Sequence, residues 1–305
     1  MTRPGGGDHG RIGHLDAAAL PACLRDIPRP VARLWYLGDP ATLADAPFRH
    51  VAIVGTREAS PYGIRTAERL ATACAEHGYV VVSGLARGID AAAHRAALAA
   101  GGATIGVQGT GVDVPYPVSH RALHAVMAER GLVVSEFEPG ALASPGCFPR
   151  RNRIIAALCR VVVVVEAGFK SGAINTAAQA LDLDRVVAAV PGRIDEERAA
   201  GSNHLLRDGA QVIASADDLI GLVKLSTSAE PSRRDEPPRR PDAWRSTIDR
   251  PTADLGDESA DHPTEDPNDQ FEHLPFRLAA TNAIAAELAG RIERDGLRYR
   301  RGQGG

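Results

Sequence analysis

Lysine is almost missing from this 305-residue chain: Lys170 and Lys224 are the only two, and the rest of its 35 basic residues are arginine. Aromatic residues are also sparse, at 4%, so any core must be built mostly from Ala, Val, Leu and Ile. The four cysteines, Cys23, Cys74, Cys147 and Cys159, form no Cys-x-x-Cys pair and no zinc-ligand spacing, which argues against a structural zinc site or a dithiol redox motif. Cys74 and Cys159 sit inside apolar patterns and read as core filler, and free thiols suit a reducing cytosol. The longest apolar stretch, residues 154–165, is broken by Arg160 and is too short to span a bilayer. Residues 1–10 are Gly-rich and polar, without the apolar stretch of a signal peptide. The expected setting is the cytoplasm, with no membrane partner, metal or cofactor. A net charge of -3 gives no general pull on polyanions, so binding to nucleic acid would have to come from local placement of arginine.

What the chain does have, from residue 51, is a regular alternation of short apolar runs and helical spacing. Strands are expected at residues 51–55, 79–82, 103–107, 132–134, 161–165 and 186–190, with a weaker one at 211–213. Helices are expected at 61–77, 89–99, 119–129, 149–158, 173–181 and 217–223. Continuous apolar strands separated by helices predict an α/β fold, a parallel sheet with helices on both faces. Residues 1–47 read as an irregular, proline-punctuated lead-in and 48–224 as the main domain. Residues 225–270 are rich in Pro, Asp, Arg, Ser and Thr and read as a disordered linker. Residues 271–300 regain helical periodicity through Leu278, Ile284, Leu288 and Ile292, within a small C-terminal segment, 271–305.

Parallel sheets of this kind bind ligands beyond the carboxyl ends of their strands, so the loops there carry the candidate residues. The first holds Gly55, Thr56 and Arg57 ahead of a helix, whose free N–H groups could receive an anion; a plain tight turn is the competing reading. The second holds Ser83, Gly84, Arg87 and Gly88, followed by Asp90 and His94 on one helix face, a catalytic pair or, more simply, structural hydrogen bonds. The third, Gly109-Thr-Gly111, lacks the third glycine of a dinucleotide fingerprint. The densest feature is Arg150, Arg151, Asn152 and Arg153 after Pro149, either a solvated face or a helix start that holds an anion. A further junction carries Lys170, Ser171 and Gly172 without the full phosphate-loop pattern. Cations gathered at one edge of a nearly neutral domain would make a groove suited to a polyanion.

Read together, these strings resemble the DNA-processing protein A (DprA/Smf) family. They are residues 54–57, 83–90 with His94, 109–113 with Tyr116-Pro117, Ser135-Glu136, 148–155, 165–168 with Ser171-Gly172, 190–192, 201–203 and 206–210, in unbroken order. The resemblance implies an extended Rossmann-like domain that binds single-stranded DNA, self-associates as a homodimer and assists loading of the RecA recombinase in natural transformation, competence and recombination. It implies no essential catalytic reaction. By position it assigns strand binding to Gly55, Thr56, Arg57, Ser83, Gly84, Arg87, Gly88, Arg150 to Arg153, and Lys170 to Gly172. Many relatives place a helical module before this domain, and the short lead-in is expected to lack it. Within the C-terminal segment 271–305, residues 274–301 resemble only the last part of the winged-helix-like domain with which many relatives end, a degenerate version of it.

Two other readings stay open. A phosphoribohydrolase-like enzyme of the same fold would use Glu136, Glu166 or Asp113 as acid or base, although its Pro-Gly-Gly-x-Gly-Thr motif is missing and Pro191-Gly192-Arg193 does not replace it. A nucleotide-sensing module is the other.

Overall fold

The computed structural model describes residues 11–228 and the backbone of residues 292–295 and 298–301. The chain opens with β1 (Gly13–Asp16), α1 (Ala22–Arg25) and β2 (Arg33–Gly38). There follow β3 (His50–Val54), α2 (Pro61–Glu76), β4 (Val80–Ser83), α3 (Ile89–Ala99), β5 (Thr104–Gln108), α4 (Arg121–Arg130) and β6 (Leu132–Ser135). Next come α5 (Cys147–Leu158), β7 (Val161–Val164), α6 (Gly172–Asp182), β8 (Val186–Ala189), α7 (Glu197–Arg207), β9 (Gln211–Val212) and α8 (Ala216–Ser228).

Nine strands form one sheet in the order β1-β2-β6-β5-β4-β3-β7-β8-β9. From β6 across to β9 every pairing is parallel. Because successive side chains of a strand point to opposite faces, each central strand serves two cores. In β7, Val161 and Val163 pack with Leu70, Ala93 and Leu219 of α2, α3 and α8. Val162 and Val164 pack on the other face with Ile154 and Ala177 of α5 and α6. Burying each Val or Ile fully contributes on the order of 1.5–3 kcal/mol, so a sheet of aliphatic strands needs no aromatic core. This is the Rossmann-like, two-faced α/β architecture that the apolar runs predict.

The lead-in differs from its irregular reading. β2 runs antiparallel to β6, with Trp35 opposite Ser135 and Gly38 opposite Leu132, and β1 pairs antiparallel with β2. These strands bury only some of their residues, so they lack the continuous apolar run that marks the central ones. Helix α7 also goes beyond the expected elements. Its buried residues include Ala199, Gly201 and Ser202, too small to make an apolar stripe legible. Helix α8 continues to Ser228, past the expected linker start at 225. The rest of that linker, from 229, and residues 271–291 lie outside the described residues.

The second unit of the chain spans Asp254–Gly305. Its described backbone is a hairpin, β10 (Ile292–Asp295) and β11 (Arg298–Arg301), with Glu293 opposite Arg300 and Asp295 opposite Arg298. This corrects the helical reading of residues 292–295 and 298–300. Among the described residues no helix is long and apolar enough to cross a membrane.

Candidate functional site

Strand order reverses at β3: β4, β5 and β6 follow on one side and β7 and β8 on the other. In open α/β sheets the crevice at that reversal, beyond the carboxyl ends of the strands, is the usual ligand position. Here it lies between the loop of residues 55–60 after β3 and that of residues 165–171 after β7. It is filled from within. The backbone N–H of Ser60 donates to Glu166 Oε2 at 2.8 Å and the Ser60 hydroxyl to Glu166 Oε1 at 2.7 Å. Ser60 is the N-cap of α2, so the buried carboxylate sits where the partial positive charge of that helix is greatest. The expectation that this helix start offers free N–H groups to an anionic ligand is therefore corrected: a side chain 106 residues away already supplies the anion.

The open site is displaced to the β4–β5 side. A cavity of about 200 Å³ is lined by Arg57, Gly84, Arg87, Gln108, Gly109, Tyr116, Phe148 and Arg151, among others. Residues from the loops after β3, β4 and β5 and from the start of α5 thus converge, as the end-of-strand argument requires. Arg57 and Arg87 are exposed. The Arg57 guanidinium lies 5.5 Å from the centroid of the Phe148 ring, and Tyr116 packs against the other ring at 4.9 Å between centroids with a 35° tilt. Phe148 and Tyr116 are absent from the residues assigned by sequence, although both stand beside prolines in the strings that carry the resemblance. A wider depression of about 450 Å³ at Ala17, Ala18, Arg25 and residues 30–32 has no comparable convergence of polar groups.

Arg151 forms the inner wall. It is buried, and Nη1 donates to the carbonyls of Gly84, at 2.6 Å, and Val107. Asp90 accepts from the Gly84 N–H at 3.0 Å. Burial pushes the Asp90 carboxyl up, against the pull of Arg151. Burial brings Arg151 down to about 10, with Asp90 opposing, which leaves it cationic at neutral pH. His94 does not join this network by a hydrogen bond to Asp90. Its Nδ1 meets Thr104 Oγ1 at 2.7 Å, and that hydroxyl donates to the Val81 carbonyl, so the ring must be the Nδ1–H donor. Asp90 and His94 thus serve two separate structural contacts.

The run from Arg150 to Arg153 is spread over three surroundings, because consecutive helical residues point about 100° apart. Arg150 is exposed, bonds Glu136 Oε2 at 2.8 Å and lies 5.3 Å from the Phe137 centroid. Arg153 is buried and bonds Glu136 Oε1. Asn152 donates to the Gly172 carbonyl at 3.2 Å and to Asn175 Oδ1 at 3.1 Å, which ties α5 to α6 and accounts for a polar residue at Asn175. The Ser171 hydroxyl accepts the Ala173 N–H and caps α6, while Lys170 and Gly172 are exposed; none of these three lines the cavity. Ser83 donates to the Ile53 carbonyl at 2.7 Å. Gly88 has φ +74°, and a Cβ there would lie 2.3 Å from the Thr56 carbonyl oxygen.

The carboxylates that an enzyme reading would use are each engaged: Glu136 by two arginines, Glu166 by Ser60, and Asp113 by the Gly140 N–H at 2.8 Å. Among the described residues no group of three or more His, Cys, Asp or Glu side chains is placed to hold a metal ion.

Residues 12–224 match the family model described as DNA recombination-mediator protein A. A Mycobacterium tuberculosis protein assigned as DNA processing protein DprA is 49% identical over 190 residues, 62% of this chain and 49% of that one. The match thus spans about half the length of that relative. The X-ray structure of DNA processing protein A from Streptococcus pneumoniae superimposes with a TM-score of 0.66 at 39% identity, over 69% of this chain and 74% of that one. DNA processing protein A from Helicobacter pylori, described for its single-stranded DNA binding mode, gives a TM-score of 0.64 at 32% identity, over 71% of this chain and 97% of that one.

Proposed function

This chain belongs to the DNA recombination-mediator protein A family, and from that premise we propose that it binds single-stranded DNA at the cavity beside β4 and β5. The observation that carries the proposal is the row Arg57, Phe148 and Tyr116, with Arg87 on the same cavity. Single-strand binders combine cations that follow the backbone with aromatic faces on which unstacked bases rest. A duplex keeps its bases stacked and presents none to such a pair. Arg57 and Arg87 are the phosphate contacts of this reading, Phe148 and Tyr116 the base platform, and Gly84 leaves room for the Arg151 and Asp90 side chains behind them. Arg151, Asn152, Arg153, Gly55, Thr56, Ser83 and Gly88 hold these loops in place. Arg150, Lys170, Ser171 and Gly172 extend the contact along the strand. The protein acts by binding rather than by a catalytic reaction, and on the family's account it works in the cytoplasm as a homodimer that assists RecA loading during DNA processing.

Fluorescence anisotropy with labelled oligothymidine tests the core of this reading. Binding is expected to weaken steeply with salt and to exceed binding to a duplex of the same length. Equal affinity for the duplex, or a preference for mononucleotides in competition, would overturn it. Free base released from a nucleotide would instead favour the phosphoribohydrolase reading.

A further inference from the structure

Glu166 holds both ends of the loop that carries Arg57. Its carbonyl accepts the Thr56 N–H at 2.7 Å. Its carboxylate accepts the N–H and hydroxyl of Ser60, and the same hydroxyl accepts the Gly63 N–H at 3.0 Å. The fit is close: a Cβ on Gly63 would lie 2.5 Å from Glu166 Oε2, and one on Gly55 would lie 2.8 Å from the Glu166 carbonyl oxygen. Between the two anchors stand only Arg57, Glu58 and Ala59. Arg198 adds one outer contact, from Nη1 to the Glu58 carbonyl at 3.3 Å. The Ile89 N–H also donates to the Thr56 carbonyl at 3.3 Å, but Glu166, a buried residue in the loop after β7, meets the Arg57 loop at both of its ends.

We infer that Glu166 is a positioning residue for single-strand binding: its carboxylate clasps the loop after β3 and so sets Arg57 against Phe148. The inference rests on the proposed use of that cavity. It gives Glu166 a task that neither an acid–base role nor a core-packing role includes, since its effect on DNA must pass through Arg57. A buried carboxylate that accepts two hydrogen bonds is a strong anchor, and a glutamine of the same shape keeps an oxygen for the Ser60 N–H and an amide for its hydroxyl.

The test is a double-mutant cycle on the full chain, read by anisotropy with oligothymidine, together with hydrogen exchange of the unliganded protein. Glu166→Ala is expected to weaken binding by roughly tenfold, as Arg57→Ala does, since a charged contact is worth that much. The double variant is expected to bind no worse than Arg57→Ala alone. Glu166→Gln should stay within about twofold of the unaltered chain. Without DNA, Glu166→Ala should speed exchange at Ser60, whose N–H loses the carboxylate, while the central strands keep their protection. If the two losses multiply in the double variant, or if Glu166→Ala leaves both affinity and loop exchange unchanged, the inference is overturned. Should Glu166→Ala fail to fold, Ser60→Ala carries the same test through the loss of the two bonds of its hydroxyl, to Glu166 and from the Gly63 N–H, with the same non-additivity required. Failure of the unaltered chain to bind oligothymidine would sink the functional reading and this inference together, whereas normal binding with a multiplicative cycle sinks the inference alone.

Discussion

Arg151 and Asp90 grip opposite sides of one residue: the guanidinium donates to the Gly84 carbonyl at 2.6 Å while the carboxylate accepts the Gly84 N–H at 3.0 Å. Both side chains are buried, and together they fix the backbone at the end of β4, where the cavity begins. Removing either side chain leaves a buried Gly84 backbone group without its partner.

Asp90→Ala should therefore lower unfolding stability by about 1–3 kcal/mol, and Asp90→Asn by less, because its amide oxygen still accepts the Gly84 N–H. Urea denaturation at neutral pH reads this directly. A loss below about 0.5 kcal/mol for the alanine variant would mean that the Gly84 N–H is satisfied without Asp90.

His94 makes acid stability measurable. Burial first, then the charge of Arg151, pushes its imidazole down to about 3 from an ordinary 6.5. The unfolded chain gains a proton as pH falls through 6.5 and the native chain does not, so stability is lost from pH 6.5 downward toward pH 3. The slope from this one residue approaches about 1.4 kcal/mol per pH unit. Asn at position 94 keeps a donor for Thr104 without a titrating ring. The chain with His94→Asn should lose less stability than the unaltered one between pH 7 and pH 5. His50 and His124, also held down by burial, leave a residual slope of the same sign.

Stacking and charge can be told apart at the cavity. Phe148→Leu and Tyr116→Leu should each weaken oligothymidine binding by about 1–3 kcal/mol with the salt dependence intact. Arg57→Ala and Arg87→Ala should each reduce the slope of log K against log salt by about 0.7. Titrations at three or more salt concentrations separate the two behaviours, and a slope change in the aromatic variants would argue against stacking.

Gly88→Ala should destabilise the chain by about 1–3 kcal/mol from backbone conformation alone, with a further cost from the contact with Thr56. Thermal unfolding followed by circular dichroism gives the figure. An unchanged midpoint would show that the loop after β4 can be rebuilt without glycine.

The central sheet was legible because β3, β4, β5, β7 and β8 bury almost every residue on both faces, which leaves unbroken apolar runs in the sequence. β1, β2 and α7 leave no such trace, since they pack through alternate or small residues. The convergence of Arg57 and Arg87 followed from their places at strand ends. The directions of Arg150, Arg151 and Arg153 did not, because a four-residue string does not say which side of its helix meets Glu136 and which meets Gly84. The Glu166–Ser60 contact was hidden for another reason: nothing local marks two residues 106 positions apart as partners.

A dinucleotide enzyme leaves the seam of its sheet vacant and waits for a metabolite to fill it. In this chain translation itself delivers the occupant, since Glu166 arrives with the polypeptide. The Arg57 loop beside that seam is therefore set as soon as the domain has folded.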